Sequence, residues 1–196
     1  MSIARRIEFT FDPARADAEA MHAVLRTSYW SPGIRRDVVE AGARHSIVCT
    51  GWLEGKLVAI ARIVTDRATL AYLCDIWVHP ELRGTGVGTA IVRHCEAHPD
   101  LQTVRRWLLA TRDAQGLYAR LGYRPVDARR WMERPMPAER WQEPAANPAE
   151  QRTRTEAAAA IPLVNEFGQP SGPPIGTWCA PADALRQLRD ELRGQH

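Results

Sequence analysis

The stretch VHPELRGTGVGTA, residues 78–90, most limits what this 196-residue chain can fold into. It joins a strand-like apolar run, 70–78, to a helix-like run, 87–98. Three glycines at alternate positions leave a turn with few Cβ atoms, so backbone N–H groups can converge on an anion. The start of a helix adds the positive end of the helix dipole. The stretch therefore predicts a phosphate or pyrophosphate site, with Arg83 as a guanidinium clamp.

The spacing of these glycines excludes two common phosphate loops. The dinucleotide fingerprint Gly-x-Gly-x-x-Gly, begun at Gly84, requires glycine at position 89, where Thr89 stands. The P-loop requires a lysine after its last glycine, and the only lysine of the chain is Lys56. What remains is the pattern Arg-x-x-Gly-x-Gly that begins at Arg83, preceded by Val-x-Pro.

A second motif lies at residues 107–123, WLLATRDAQGLYARLGY, far enough along the chain to leave room for one helix and one strand. A strand is predicted to end near Thr111. Apolar residues then recur at helical spacing, which predicts a short helix, and Gly122 suits the left-handed position that ends such a helix. The residues at helical spacing are Ala114, Leu117, Tyr118 and Leu121.

Together the two motifs resemble the GNAT family of N-acetyltransferases, whose cofactor is acetyl-coenzyme A. The pattern that begins at Arg83 is similar to the family's pyrophosphate motif, and Leu-Tyr followed by Leu-Gly-Tyr at 117–123 is similar to the second half of its site. Residues 7–134 also resemble an uncharacterised bacterial branch of the family through the stretches SYW, IVTDRAT and RWLLATRDA. The resemblance does not cover 135–196 and names no substrate.

The resemblance implies an α/β (α+β) fold, the GNAT fold, in which helices flank a central mixed, mostly antiparallel twisted sheet. Apolar periodicity predicts the same order, β-α-α-β-β-β-α-β-α-β, and agreement between independent levels supports the assignment. The predicted strands span 7–11, 46–54, 56–65, 69–78, a run ending near 111, and 130–133. The predicted helices span 17–28, 35–45, 87–98 and about 114–121.

Composition predicts three segments. Residues 1–134 would form the acetyltransferase domain that the resemblance implies, and 135–160 are rich in Pro, Ala, Glu and Arg, which predicts a disordered or loosely helical linker. Residues 161–196 form a C-terminal extension, in which 181–193 carry Leu185, Leu188 and Leu192 on one helical stripe. A helix this short is not stable alone, so it docks on its own domain or on a second subunit of a homodimer, or it remains frayed.

Charge and composition limit the partners. A formal net charge of only +3 gives, by itself, no strong case for nucleic-acid binding. The four cysteines include no Cys-x-x-Cys pair, and three stand in apolar runs, which favours free thiols in a reducing cytoplasm. The sequence lacks an apolar export segment and an apolar span long enough for a membrane. The six histidines have no ligand spacing. We therefore expect a cytoplasmic protein without a metal, membrane or nucleic-acid partner.

The resemblance also implies how acetyl-CoA is held. Backbone groups where the strand 69–78 splays open would pair with the pantetheine arm, and a backbone N–H there would polarise the acetyl carbonyl. The glycine loop and the helix start would fix the pyrophosphate. The residues expected to bind the cofactor are Ile76, Val78, Arg83, Gly84, Gly86, Val87, Gly88 and Thr89.

Two residues are expected to carry the chemistry. Tyr118 matches the family's frequent general acid toward the leaving sulfur, since a phenol has a pKa of about 10 against about 8.5 for a thiol. Alternatively, Tyr118 only packs beside its helical neighbours. Asp75 interrupts an apolar strand, where a carboxylate requires an explanation. It could deprotonate the amine through water, bind a cationic acceptor, or pair structurally with an arginine. Some polyamine acetyltransferases of the family carry Glu where Cys74 stands, which argues against a base of that type here.

The acceptor side is indicated by analogy alone. Tyr29 and Trp30 lie on a loop that covers the acceptor in the family, where they could face a cationic amine or anchor the loop to the core. Asp113 could contact the pantetheine arm, but the better expectation is that it caps the helix that follows it. The expected activity is transfer of the acetyl group of acetyl-CoA to a primary amine of a small molecule or peptide, by direct attack in a ternary complex. The alternative is a non-catalytic acyl-CoA-binding sensor or interaction module.

Overall fold

The computed structural model describes residues 3–145, 185–187 and 189–190, and it contains a five-stranded sheet. The strands are β1 (Glu8–Thr10), β2 (Ile47–Leu53), β3 (Lys56–Thr65), β4 (Leu70–Val78) and β5 (Arg106–Leu108). They lie in sequence order across the sheet. Neighbouring strands are antiparallel, except that β4 and β5 are parallel. This mixed, mostly antiparallel sheet confirms the predicted fold class.

Helices pack on both faces of the sheet. They are α1 (Ala18–Leu25), α2 (Arg36–Arg44), α3 (Val87–Glu96) and α4 (Gln115–Arg120). Each predicted helix is present but shorter than expected. The predicted helix 17–28 ends at Leu25, because the hydroxyls of Thr27 and Ser28 donate to the carbonyls of Val24 and Leu25 and so satisfy the end of α1.

The last predicted strand, 130–133, is wrong. A 3-10 turn, Ala128–Arg130, stands at its start, and the carboxylate of Asp127 begins this turn by accepting the N–H of Arg129 at 3.1 Å. The residues that follow have no buried face, since Met132 is 97% exposed and Trp131 is 43% exposed. Without apolar burial on one side, this run lacks the main stabilisation of a sheet strand.

Two separate apolar cores fix the layers. Buried residues of α3, with Leu82 and Tyr118, cluster on one face of the sheet. Buried residues of α1 and α2, with Trp77, cluster on the other face. The segment between α1 and α2 therefore belongs to one face, and the glycine loop that leads into α3 belongs to the other.

An irregularity in β4 shapes the centre of the sheet. Trp77 pairs with Ile60 and Cys74 pairs with Arg62, so two residues of β4 lie opposite one residue of β3. Asp75, inside this bulge, has φ +53°, a left-handed conformation that is uncommon outside glycine. The bulge re-aims the Asp75 side chain relative to the regular alternation of the strand.

β4 also separates from β5. The parallel pairing joins 70–72 to 106–108 and stops there. Within the described part of the chain no strand continues it beside 73–78, so the second half of β4 borders an opening in the sheet.

The first part of the predicted linker packs on the domain. The N–H of Arg35 donates to the carbonyl of Trp141 at 2.9 Å, and the N–H of Glu143 donates to the carbonyl of Gly33 at 2.7 Å. Residues 135–145 thus cover the turn that leads into α2. The rest of the predicted linker, and most of the predicted C-terminal helix 181–193, lie outside the described residues. The described positions 185–187 and 189–190 are helical.

Candidate active site

The glycine loop has the geometry of an anion cradle. Gly84 has φ +73° and Gly86 has φ +91°, and a Cβ at either position would meet no atom within 4 Å. The hydroxyl of Thr85 donates to the carbonyl of Leu82 at 2.6 Å, which fixes the turn between them. α3 then begins at Val87, and the N–H groups of its first turn have no partner within the helix. These N–H groups and the helix dipole favour a bound anion.

Arg83 connects this loop to the end of β4. Its Nε donates to the carbonyl of Val78 at 3.3 Å. Burial lowers the pKa of Arg83, and the nearby Asp113 carboxylate acts in the opposite direction. An arginine keeps its charge at any physiological pH. A positive charge therefore stands where the loop, the end of β4 and the start of α4 approach one another.

The third glycine of the loop serves packing. A Cβ at Gly88 would lie 3.2 Å from Cδ1 of Leu117, so the first turn of α3 rests directly on α4. Gly88 is helical and has no left-handed φ, unlike Gly84 and Gly86. Its missing side chain brings α4, and with it Tyr118, close to the glycine loop.

Tyr118 is a buried phenol next to the loop. It is 8% exposed, and its ring makes an edge contact with Tyr123 at 5.6 Å between centroids. Burial raises the pKa of Tyr118 to about 12, with further contributions from Tyr29 and Asp113. The hydroxyl is therefore protonated throughout the physiological pH range.

Asp75 lies at the centre of a polar network on the bulge. Its Oδ2 accepts the Nε–H of Arg62 at 2.6 Å, and its Oδ1 accepts the indole N–H of Trp30 at 3.1 Å. Arg62 also donates to Ser46 at 3.1 Å. Burial acts to lower the pKa of Arg62, but the charge and hydrogen bond of Asp75, together with the nearby Cys74 and Tyr72, outweigh it, so this pKa is raised. The Asp75 side chain is only 10% exposed, and both of its oxygens accept donors.

Tyr29 is held from the other side of the opening. The guanidinium of Arg112 lies 3.7 Å from the centre of the Tyr29 ring, and the N–H of Arg112 donates to the Tyr29 hydroxyl at 3.4 Å. Tyr29 and Trp30 make an edge contact at 4.9 Å. Through these two rings, the segment between α1 and α2 bridges the bulge of β4 and the residues that precede α4.

Comparison with known proteins decides the family. The model of the acetyltransferase (GNAT) family matches residues 9–123. The chain belongs to the GNAT acetyltransferase family. A solved protein of this family from Xanthomonas campestris pv. campestris is 40% identical, with an alignment covering 67% of this chain and 94% of that one at a TM-score of 0.64.

More distant structures share the GNAT fold. A Staphylococcus aureus protein of unknown function is 20% identical, and the alignment covers 66% of this chain and 98% of that chain at a TM-score of 0.56. The ribosomal-protein-S18-alanine N-acetyltransferase from Escherichia coli is also 20% identical, with coverage of 62% and 79% and a TM-score of 0.52. No curated protein matches the chain.

The GNAT fold brings the predicted site residues into two groups. The cofactor candidates line the glycine loop and the free edge of β4, next to Tyr118. Asp75, Tyr29 and Trp30 form the second group, as described above. The expected cap on α4 is wrong, because the N–H of Ala114 is accepted by the hydroxyl of Thr111 at 3.1 Å and not by Asp113.

Sequence reasoning missed two arginines of this GNAT site. Arg62 could have been noticed, since it is the single charge in the otherwise apolar run 57–64. Arg112 gave no such signal, because it lies in a polar stretch between a strand and a helix. Cys74 lies beside Asp75, and burial raises the pKa of its thiol to about 12, which keeps it uncharged.

The described part of this GNAT protein has neither a candidate metal site nor a helix that could span a membrane. Over those residues, no three His, Cys, Asp or Glu side chains are grouped closely enough to hold a metal ion. In the same residues, no helix has the length and apolar character needed to cross a membrane.

Proposed function

We propose that the protein is an acetyl-CoA-dependent N-acetyltransferase that acetylates a primary amine of a small molecule or peptide by direct attack in a ternary complex. The observation that carries this proposal is the contact between Gly88 and Leu117, because it sets a buried, protonated phenol beside an anion cradle. A fold that only sensed the cofactor would have no use for a proton donor at that position.

The glycine loop fits the pyrophosphate of coenzyme A. The positions of Gly84 and Gly86 are open, and the N–H groups of Val87, Gly88 and Thr89 belong to the unpaired first turn of α3. Arg83 supplies a positive charge at the same place. The free edge of β4, at Ile76 and Val78, offers backbone groups to the pantetheine arm.

The transfer then needs one attack and one proton donation. The lone pair of the neutral amine attacks the thioester carbonyl carbon, and the C–S bond breaks with its electrons on sulfur. Tyr118 donates a hydrogen bond and then its proton to that sulfur. The tyrosinate left behind is a strong base, because the pKa of Tyr118 is raised to about 12, and it regains a proton from the acetylated nitrogen through water.

Asp75 acts as a positioning residue in this proposal. Its carboxylate already accepts hydrogen bonds from Arg62 and Trp30, so both of its oxygens are engaged by donors of the protein itself. Its role is to hold Trp30, and with it Tyr29, over the acceptor. The amine loses its proton to solvent before it attacks.

The test is thiol release from acetyl-CoA with a panel of primary amines, using the full chain. We expect turnover with at least one amine, and Tyr118→Phe should lower kcat about 10- to 100-fold while leaving the Kd for CoA unchanged. Trp131→Phe is the control, because Trp131 is an exposed aromatic residue that lies beside Arg106. Tight CoA binding without turnover on any amine would instead support a cofactor sensor.

A further inference from the structure

The C-terminal helical residues dock beside the glycine loop. Leu185 is 2% exposed and belongs to the same buried cluster as Leu82 and Val87, which flank the loop. The described helical residues 185–187 and 189–190 therefore dock on their own domain, which is one of the arrangements that the sequence left open. Because Leu185 packs there, the side chains that follow it lie next to the glycine loop.

Two of those side chains converge on one carboxylate. Nη2 of Arg186 lies 3.2 Å from Oε1 of Glu81, and Nη1 of Arg189 lies 3.6 Å from Oε2 of the same residue. Glu81 stands in the 3-10 turn Pro80–Leu82, two residues before Arg83. Its side chain is 20% exposed, so the carboxylate is largely covered. Arg189 also contacts Asp190, an exposed residue, at 3.0 Å.

The negative charge of Glu81 is unfavourable beside a loop that binds an anion. A carboxylate two residues before Arg83 would repel an anion bound in the glycine loop, and its partial burial strengthens the repulsion because the effective dielectric is lower. Two guanidiniums on its two oxygens cancel that charge and hold the carboxylate in a fixed orientation.

We propose that Arg186 and Arg189 screen Glu81, so that these two C-terminal arginines are a working part of the coenzyme A site. This inference rests on the proposed function, because it requires the glycine loop to bind the cofactor phosphates. The two arginines are positioning residues that act through Glu81. They preset the electrostatic potential of the loop without contacting the reacting atoms.

The experiment is calorimetric measurement of the Kd for CoA with the full chain. Arg186→Ala/Arg189→Ala should weaken CoA binding about tenfold, because it leaves the Glu81 charge uncompensated. This loss of CoA affinity should shrink as the salt concentration is raised from 50 mM to 500 mM, because the Debye length shortens to about 5 Å. The triple variant that adds Glu81→Gln should restore the wild-type Kd to within about twofold, because the repelling charge is gone.

Two controls separate screening of Glu81 from a general loss of positive charge or of folded structure. Arg36→Ala/Arg129→Ala removes two exposed arginines that pair with Glu40 and Asp127, so its Kd for CoA should equal that of the wild type. Binding of pantetheine, which lacks the phosphates, should be the same for every variant. Circular dichroism and thermal melts check that each variant folds.

The outcomes are distinct. An unchanged Kd in Arg186→Ala/Arg189→Ala overturns the inference and leaves the proposed function standing. A loss that Glu81→Gln does not rescue also overturns it, since the arginines would then contact the phosphates or brace the loop by packing. Failure of the wild type to bind CoA overturns the proposed function and this inference together.

Discussion

Nε of Arg62 lies 2.6 Å from Oδ2 of Asp75, and this ion pair joins the middle of β3 to the bulge of β4. Both side chains are mostly covered, at 21% and 10% exposed. The pair is therefore unlike the exposed ion pairs of the protein, because removal of one partner leaves the other with an uncompensated charge in a poorly solvated place. Four measurements follow from this pair and from the loops on either side of it.

Arg62→Met should lower the free energy of unfolding by about 2–4 kcal/mol, since Asp75 loses its cation. Chemical denaturation measures the change. Asp75→Asn in the same chain should recover part of the loss, and asparagine tolerates the left-handed φ of this position. Arg36→Met is the control, because it breaks an exposed pair with Glu40 and should cost at most about 0.5 kcal/mol. Equal losses in Arg62→Met and Arg36→Met would contradict the prediction.

Trp30→Phe should raise the KM for the amine about 3- to 10-fold and leave the Kd for CoA unchanged. The substitution removes the indole N–H that donates to Asp75 at 3.1 Å and keeps an aromatic ring at the position that is proposed to face the acceptor. Steady-state kinetics at saturating acetyl-CoA measure it. Trp131→Phe, at an exposed tryptophan beside Arg106, serves as the control and should change neither constant. A raised Kd for CoA in Trp30→Phe would place this residue on the cofactor side.

Gly86→Ala should weaken CoA binding about tenfold or more, because alanine at φ +91° costs about 1–2 kcal/mol and distorts the start of α3. Gly55→Ala is a close control. Gly55 has φ +74° and equally open surroundings, but it lies in the turn between β2 and β3. Both variants should lose similar stability in thermal melts, and only Gly86→Ala should change the Kd. Equal Kd values in the two variants would exclude the loop as the phosphate site.

The pH dependence of kcat should lack a descending limb up to pH 10. Tyr118 is an acid with a raised pKa of about 12, so the form that donates the proton persists to higher pH than for a free tyrosine. The rate should rise as the amine deprotonates and then stay level. Tyr118→Phe should give the same shape at a lower level. A fall with a pKa near 9 in the wild type, absent from Tyr118→Phe, would show that the phenol ionises within the working range.

The sequence could predict the parts of this site that are local in the chain. The glycine loop with the start of α3, and separately the helix that carries Tyr118, each depend on residues within about ten neighbouring positions of the chain. Their glycines and apolar spacing are direct signals of local structure. For the same reason the predicted helices were present, although hydroxyl side chains such as those of Thr27 and Ser28 ended α1 early.

The remaining features could not be predicted because they depend on distant contacts. The Trp30–Asp75 hydrogen bond requires a non-glycine residue at φ +53°, and the letters around Asp75 give no sign of a bulge. The expected strand 130–133 failed because its apolar residues stay exposed. The Arg186–Glu81 contact joins positions 105 residues apart, so no local pattern could indicate it.

Within the described residues, the gap between β4 and β5 leaves an opening through the sheet. The glycine loop lies on the face of α3, and the ring pair Tyr29–Trp30 belongs to the segment between the helices on the opposite face. In the proposed reaction, acetyl-CoA and the amine would therefore enter from opposite faces of the sheet and meet only inside this opening. The CoA product could leave from the face of the glycine loop while the acetylated amine is still bound at the other face. An inhibitor that covalently joins both substrates would have to extend through this opening, so a thin, flexible linker is favoured over a bulky one.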